Sequence, residues 1–182
     1  MPTMKDLVAK HSGLGQADLE WLQLLTGDWQ LLSDLSFADL VLWVPRKDDG
    51  GWIAVAHCRP STGVTVYYDD VVGTVVDAGR RPLLDRAFEQ LRICRERGTD
   101  YQEDVTVREE TVPVLRSGRA IAVLARHTNL SAARTPSRLE LTYLQCADEL
   151  TRMISEASSR RGCAQRSAAR CSPGRGRPDP DG

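Results

Sequence analysis

Long apolar runs are missing from this sequence. No stretch approaches the roughly 18–20 apolar residues that a membrane-spanning helix needs. Residues 1–15 contain Lys5, Asp6 and Lys10 but lack the continuous apolar core of a secretory signal. We therefore expect a cytoplasmic protein that makes no contact with a membrane.

A strong net charge of either sign is also missing. The 182 residues include 24 Lys and Arg against 25 Asp and Glu, which leaves a formal net charge of −1. Because phosphate contacts require a concentrated basic surface, this balance argues against direct binding of nucleic acid. The distribution is uneven, however, since residues 156–182 contain six Arg but only three acidic residues.

Motifs that would carry catalysis or hold a metal are absent. The three histidines, His11, His57 and His127, are scattered, and Gly13 to Gly15 lacks the spacing of a phosphate-binding loop. We therefore predict no catalytic residue and no metal site. The five cysteines contain no CxxC pair, so neither a disulfide framework nor a zinc site is expected; they are Cys58, Cys94, Cys146, Cys163 and Cys171.

Hydrophobic periodicity predicts helices at both ends of the chain with strands between them. Apolar residues recur at helical spacing over 18–32, with an interruption at Gly27, and again over 136–155 after Thr135-Pro136. Alternating apolar runs predict the other elements. These are a hairpin over 37–57, strands over 64–68 and 71–76, a helix over 82–97 ended by Gly98, and a second hairpin over 105–127 around Ser117-Gly118.

This order predicts an α/β (α+β) fold with a central antiparallel sheet flanked by N- and C-terminal helices. We expect one domain over residues 1–155. Residues 156–182, rich in Arg, Ser, Pro and Gly, are predicted to form a disordered basic tail. The apolar stripe of the N-terminal helix needs a partner surface, and both the core of the same chain and a second copy remain open as that partner.

The sequence His57-Cys58-Arg59 ends a predicted strand. A thiol beside His and Arg could have a lowered pKa and act as a nucleophile, redox sensor or metal ligand. Side chains alternate along a strand, however, so His57 and Cys58 should lie on opposite faces of the sheet. We therefore favour a buried structural role for Cys58, and we expect Cys94 and Cys146 on the apolar faces of helices.

Three segments carry a resemblance to a known family. They read DWQLLSDLSFADLVLWV over 28–44, IAVAHCRPSTGVTVYYDDVVGTVV over 53–76, and VLRSGRAIAVLARHTNLSAARTPSRLELTYLQCADELTRMI over 114–154. In this order they closely resemble the N-terminal sensor region of actinobacterial cytosolic histidine kinases of the PdtaS type, which belong to two-component systems. The resemblance implies a GAF-type fold. In that family a PAS domain, a dimerisation and phosphoacceptor segment and an ATPase domain follow.

The resemblance implies that the full-length protein phosphorylates its own histidine and passes the phosphoryl group to an antiterminator-type response regulator that binds RNA. This sequence has neither the phosphoacceptor box nor the ATP-binding boxes, and His127 matches the sensor region instead. We therefore expect no enzymatic activity and no cofactor in this chain, with ATP and the response regulator contacted only by the missing kinase part. The tail replaces the PAS domain, which indicates a truncated or frame-shifted chain, or a free-standing sensor module.

We predict a signal-sensing domain that dimerises through its terminal helices and binds a small ligand or redox signal between the sheet and the 82–97 helix. Preferential binding to one of two arrangements would then bias the 136–155 helix. Arg59 is the expected anchor for an anionic ligand, although a surface ion pair with Asp69 or Asp70 is an alternative. The candidate ligand-binding residues are Trp43, Cys58, Arg59, Thr62, Val72, Thr74 and Phe88.

Two other functions stay open from the sequence. Some GAF-fold proteins are cysteine-dependent reductases of free methionine sulfoxide, and this function requires the Cα atoms of Cys58 and Cys94 to lie within about 7 Å of each other. The second alternative is a dimerisation scaffold that binds no ligand.

Overall fold

The computed structural model describes residues 2–48, 50–99, 106–131 and 135–156. Among them, no helix is both long and apolar enough to cross a membrane. The elements in chain order are α1 (Met4–His11), α2 (Gln16–Gly27), α3 (Trp29–Ser36), β1 (Asp39–Pro45), β2 (Trp52–Cys58), β3 (Val75–Val76), α4 (Pro82–Gln90), β4 (Cys94–Thr99), β5 (Thr106–Arg116), β6 (Arg119–Asn129) and α5 (Arg138–Glu156).

The strands form one antiparallel sheet in the order β3-β2-β1-β6-β5-β4. Both predicted hairpins are present, as β1–β2 and β5–β6, and β1 and β6 pair in the middle of the sheet. The predicted fold class, an antiparallel sheet flanked by helices from both chain ends, is confirmed.

The two faces of the sheet are covered by different elements. Because side chains alternate along β1, Leu40 and Leu42 pack with the core under α1, α2, α3 and α5, whereas Val41 and Trp43 pack under α4. The stripe of the N-terminal helices thus contacts the core of its own chain through Leu19, Leu22 and Leu32. The face under α4 is the one that the sequence predicted for a ligand.

The predicted helix over 18–32 is two helices in the structure. Helix α2 ends at Gly27 and α3 begins at Trp29, so the interruption in the apolar stripe marks a true break. At the other end, α5 confirms the helix predicted over 136–155. Its first turn is capped by Ser137 and Glu140, each of whose side chains accepts the backbone N–H of the other.

Two predicted elements are wrong. The helix over 82–97 stops at Gln90, since Leu91 adopts a left-handed conformation with φ of 53° and the chain returns as β4 against β5. The spacing of Leu91 and Cys94 suits a helix, but in the structure the backbone from Cys94 onwards pairs with β5, beginning opposite Thr111, and β4 forms an edge of the sheet. Of the strands predicted over 64–68 and 71–76, only Val75–Val76 pairs with another strand.

The structure tests the predictions about Cys94 and Cys146, and it describes only the first residue of the predicted tail. Cys94 is buried as expected but lies on a strand, and Cys146 is exposed on α5, so its predicted core position is wrong. The basic tail predicted over 156–182 lies, apart from its first residue, outside the described residues. Its disorder and the boundary of the domain at 155 stay predictions.

Candidate functional site

Polar and charged side chains gather on the sheet face under α4. Strand register creates much of this group, since His127 on β6 lies directly opposite Asp39 on β1 and opposite Glu109 on β5. Residues opposite one another on neighbouring strands share a face of the sheet. We call the group the polar cluster; its members are Asp39, His57, Tyr67, Arg81, Glu109 and His127.

Asp39 holds the segment after β2 against the sheet. Its fully buried carboxylate accepts the Thr65 hydroxyl at 2.7 Å and the backbone N–H of Val66 at 2.6 Å. Nε2 of His57 lies 3.3 Å from the same carboxylate. A buried carboxylate is stable only with such partners, so Asp39 fixes the middle of the segment over 59–74, which we call the roof segment.

Tyr67 of the roof segment inserts between two histidines. Its ring stands nearly perpendicular to both imidazoles, with centroid distances of 5.7 Å to His57 and 5.1 Å to His127. Its hydroxyl lies 3.3 Å from Nδ1 of His127. The cluster therefore connects the roof segment to β2 and β6 as well as to β1.

Arg81 closes the cluster beside α4. Its guanidinium bonds Oε1 of Glu109 at 2.7 Å and lies 5.3 Å from the centre of the Trp43 ring. Burial by itself would lower the pKa of Arg81, but the charge of Glu109 and the hydrogen bond with Tyr67 outweigh it, so the pKa is raised. Arg81 thus remains a cation in a mostly buried position.

Trp43 and Trp52 lie under the same helix and differ in one respect. The indole N–H of Trp52 donates to Oδ1 of Asp85 at 2.7 Å, and Phe88 packs edge-on against the Trp52 ring at 5.3 Å. The indole N–H of Trp43 is buried and has no acceptor among the described residues. A buried donor without an acceptor costs about 1–3 kcal/mol.

The structure brings only two of the seven candidate ligand-binding residues together under α4. Trp43 and Phe88 share that core, whereas Cys58 and Val72 pack against the core of the opposite face. Whether any of the seven contacts a ligand stays a prediction. The sequence analysis did not select the polar cluster as a site, although Asp39 and His127 are polar residues in largely apolar strands and could have indicated it.

Cys58 lacks the environment of a reactive thiol. It lies on the face opposite His57, as the alternation predicted, and its Sγ is 3.4 Å from Oε1 of Gln30. Burial raises the pKa of the Cys58 thiol; a Ser33 hydrogen bond opposes this, and the charges of Asp34 and Asp39 add to it. This direction is the opposite of the lowered pKa that a nucleophilic cysteine requires.

Hydrogen bonds hold the roof segment in place through three of the candidate residues, Arg59, Thr62 and Thr74. Arg59 donates to the backbone carbonyls of Tyr67, Tyr68 and Asp69 at 2.8–3.2 Å, so its contact with Asp69 is through the main chain instead of the proposed ion pair. The Thr62 hydroxyl donates to the carbonyl of Asp34 at 2.7 Å. The Thr74 carbonyl accepts the backbone N–H of Ala54 at 3.0 Å.

The cysteine pair of the reductase hypothesis is too far apart. Cys58 ends β2 and Cys94 begins β4, with β1, β6 and β5 between these strands. At a strand spacing of ~4.8 Å this separation is about 19 Å, far beyond disulfide range. The distance that the reductase alternative requires between these two cysteines is therefore not met. Within the described part of the chain, no group of three or more His, Cys, Asp or Glu is placed to hold a metal ion.

A second surface lies on the opposite, helical side of the molecule. It is an apolar groove of about 430 Å³ between α2, α3 and α5, which we call the helix groove. Three of its side chains are unusually exposed: Leu24 by 71%, Leu31 by 58% and Met153 by 59%. The remaining lining residues are Trp21, Leu25, Asp28, Trp29, Leu32, Val114, Leu150 and Ile154.

Comparison with known proteins gives consistent matches. The family model described as histidine kinase PdtaS, GAF domain, matches residues 4–147. The sensor histidine kinase PdtaS of Mycobacterium tuberculosis (strain H37Rv) is 41% identical over 162 residues, and that of Mycolicibacterium smegmatis is 39% identical over 161 residues. Each match covers 87% of this chain and 32% of the relative, so the chain spans about a third of the length of these curated relatives.

A solved structure supports the same assignment. It is described as the sensor region of a sensor histidine kinase, is 41% identical, and superposes with a TM-score of 0.72 over 87% of this chain and 54% of that chain. The family model covers well over half of the chain. The chain therefore belongs to the family of GAF sensor domains of PdtaS-type sensor histidine kinases.

Proposed function

We propose that this chain is a cytoplasmic sensory module that binds a small polar ligand at the polar cluster and dimerises through the helix groove. The observation that carries the ligand is the buried indole N–H of Trp43, which has no acceptor among the described residues. It lies beside the cluster, under the guanidinium of Arg81. A ligand that supplies an acceptor there removes the cost of the unsatisfied donor.

The fixed positions of the other members of the polar cluster support this proposal. Asp39 and Arg81 have their partners in place and fix the positions of the roof segment and Glu109. Apolar walls with a few fixed polar groups are typical of small-molecule sites, because little order must be created when the ligand arrives. A small ligand is a better signal here than oxidation of Cys58, whose raised pKa disfavours thiolate chemistry.

Two connections lead from the site to the helical layer. The roof segment is held to α3 because Asp34 accepts the backbone N–H of Ser61 at 2.6 Å and its hydroxyl at 2.9 Å. On β6, the residue next to His127 is Arg126, which pairs with buried Glu110 and bonds Asp148 of α5 at 2.9 Å. A ligand that prefers one position of the roof segment would therefore bias α3 and α5.

Dimerisation is proposed from the helix groove. Leu24, Leu31 and Met153 expose apolar side chains on adjacent helices around an apolar cavity. Exposed apolar patches of this kind mark interaction surfaces, and a symmetric pair of identical chains buries the same patch twice. In the longer relatives, named sensor histidine kinases, such a module would control kinase activity; ATP and the response regulator would be bound by the kinase part.

A ligand screen on the purified chain tests the function. Cyclic nucleotides, metal ions and oxidants are added separately, and the melting temperature is recorded, since a ligand of the folded state raises it by mass action. We expect a stabilising compound whose effect is lost in Arg81→Gln and kept in Arg80→Gln, the exposed neighbouring arginine. No shift with any compound, or equal loss in both variants, would contradict the proposed site.

A further inference from the structure

We propose that a second copy of this chain packs along α5, so that the two α5 helices run parallel and in register as a short coiled coil. The proposal rests on the dimer of the proposed function and adds a contact surface and an orientation that the helix groove alone does not specify. Cys146 gives the first indication, because its place on an apolar stripe predicted burial and the structure leaves it exposed. The rest of that stripe shares its exposure.

The exposed stripe of α5 has the spacing of a coiled-coil seam. Its members are separated by four, three, four and three residues, which is the alternation of a and d positions in a heptad. Leu139 and Met153 at its two ends are each 59% exposed, and Tyr143 between them is 37% exposed. We call this stripe the α5 seam; it consists of Leu139, Tyr143, Cys146, Leu150 and Met153.

The domain uses a different face of α5 for its own core. Ala147 and Thr151 are buried, and Ile154 packs against the same core. At 3.6 residues per turn, these three residues lie about a quarter turn around the helix from the α5 seam. The seam therefore runs along the surface of the molecule, and an exposed a/d stripe is the surface that a second helix packs against.

The size of the surface indicates that the α5 seam and the helix groove act together. The groove shares Met153 with the seam and adds Leu24 and Leu31, which are 71% and 58% exposed. At on the order of 200 Å² for a fully exposed large side chain, the seam alone would bury about 600 Å² in a pair of copies, which is the range of crystal contacts. With the two groove leucines the pair buries about 1,100 Å², above the roughly 1,000 Å² that a specific interface requires.

The position of the groove favours the parallel orientation. The α5 residues that line the groove belong to the last seven positions of the helix. In a parallel pair the two grooves lie side by side, so Leu24, Leu31 and Met153 of both copies form one apolar patch. In an antiparallel pair centred on Cys146, Met153 would lie beside Leu139 of the other copy and the grooves would be at opposite ends. The parallel pair therefore buries the larger continuous apolar surface.

Cysteine cross-linking of the full chain tests the seam. In the variant Cys163→Ser/Cys171→Ser, Cys146 remains exposed, whereas Cys58 is half-buried and Cys94 is buried. The axes of packed helices lie about 8–10 Å apart, so a bismaleimide of that length should join two copies through Cys146. Addition of Cys146→Ser should abolish the product. Cross-linking that persists without Cys146 would contradict its place at the contact.

Moving the cysteine along α5 tests the orientation. In the variant that carries Cys146→Ser, Leu139→Cys and Met153→Cys should each cross-link in separate samples, because a parallel pair places equal positions side by side. Gln145→Cys, which is exposed beside the seam, is the control and should give no product. A product that forms only when Leu139→Cys and Met153→Cys are mixed would indicate an antiparallel pair and overturn the proposal.

Sedimentation of two matched variants separates the α5 seam from the helix groove. Leu139→Asp places a charge in the seam outside the groove and should raise the dissociation constant of the dimer at least about tenfold. Leu141→Asp makes the same change at a 49% exposed position off the seam and should alter it by no more than about twofold. A dimer that Leu31→Asp dissociates and Leu139→Asp does not would refute the seam and leave the proposed groove dimer standing. A monomeric wild type would refute both.

Discussion

Asp39→Asn tests whether one buried carboxylate fixes the roof segment. The carboxylate is fully buried and accepts two hydrogen bonds, from Thr65 at 2.7 Å and Val66 at 2.6 Å. In asparagine the charge is lost and one of the two oxygens becomes an N–H donor, so the bond to Val66 becomes a neutral one and the Thr65 hydroxyl has to turn its proton to the Tyr67 carbonyl, 3.0 Å away. The variant keeps the volume of the side chain, which removes any contribution from a cavity.

The expected loss is about 2–4 kcal/mol in the free energy of unfolding. A hydrogen bond to a charged group contributes about 1.5–3 kcal/mol and a neutral one about 0.5–1.5 kcal/mol; the bond from Thr65 is lost and the bond from Val66 is reduced to the neutral value. If the substitution only detaches the roof segment while the rest of the protein stays folded, the measured loss of stability is smaller. It cannot then exceed the free energy of that local opening. Increased exchange of the Val66 amide would then accompany the smaller loss.

Urea unfolding at pH 7 measures the effect as a shift of the midpoint at constant slope. The matched control is Asp69→Asn, in the same segment, where the carboxylate is exposed and has no hydrogen bond among the described residues. Surface changes of this type usually stay within about 0.5 kcal/mol. If Asp39→Asn were as mild as the control and Val66 exchange were unchanged, the assigned role of the carboxylate would be refuted.

Three further outcomes follow from the contacts. Trp52→Phe should lose about 1 kcal/mol more stability in urea than Trp43→Phe, because only the Trp52 indole has a hydrogen-bond acceptor; equal losses would contradict this. Burial would raise the pKa of Asp18, but hydrogen bonds from two hairpin arginines lower it. The ionised Asp18 side chain should therefore stabilise the fold at neutral pH, and this contribution should be lost as the pH falls below about 4. Asp18→Asn should flatten this part of an acid-unfolding curve. Leu31→Asp should yield monomers in sedimentation, whereas the exposed Val75→Asp should not; a monomeric wild type would refute dimerisation.

The hairpins and the terminal helices were predictable because their signals are local. Alternation of apolar residues and the turn at Ser117-Gly118 suffice for β5 and β6. The strand β4 was not predictable, since the spacing of Leu91 and Cys94 fits a helix equally well and only pairing with β5 decides between them. The sequence also predicted strands in the roof segment, because its β-branched residues have strand propensity. In the structure the side chains of Arg59 and Asp39, and not a neighbouring strand, bind the backbone of this segment.

The candidate site shows the same limit at longer range. Alternation correctly placed His57 and Cys58 on opposite faces, but it does not say which residues of other strands lie beside them. The register Asp39–His127–Glu109 joins three strands that are distant along the chain. A shift of one residue in either pairing would turn one of these side chains to the other face, so the cluster depends on interactions that no local pattern contains.

By itself, the sequence determined the antiparallel architecture, the helices at both ends and, through three family-like segments, membership in the sensor family. These depend on periodicity and on strings of neighbouring residues. Only the tertiary structure decided that Cys58 is kept from Cys94, that the N-terminal helices cover one face, and that Asp39, Arg81 and His127 meet under the roof segment. Those outcomes follow from strand register and from contacts between residues that are distant along the chain. They depend on burial and hydrogen bonding in the whole fold and not in any one segment.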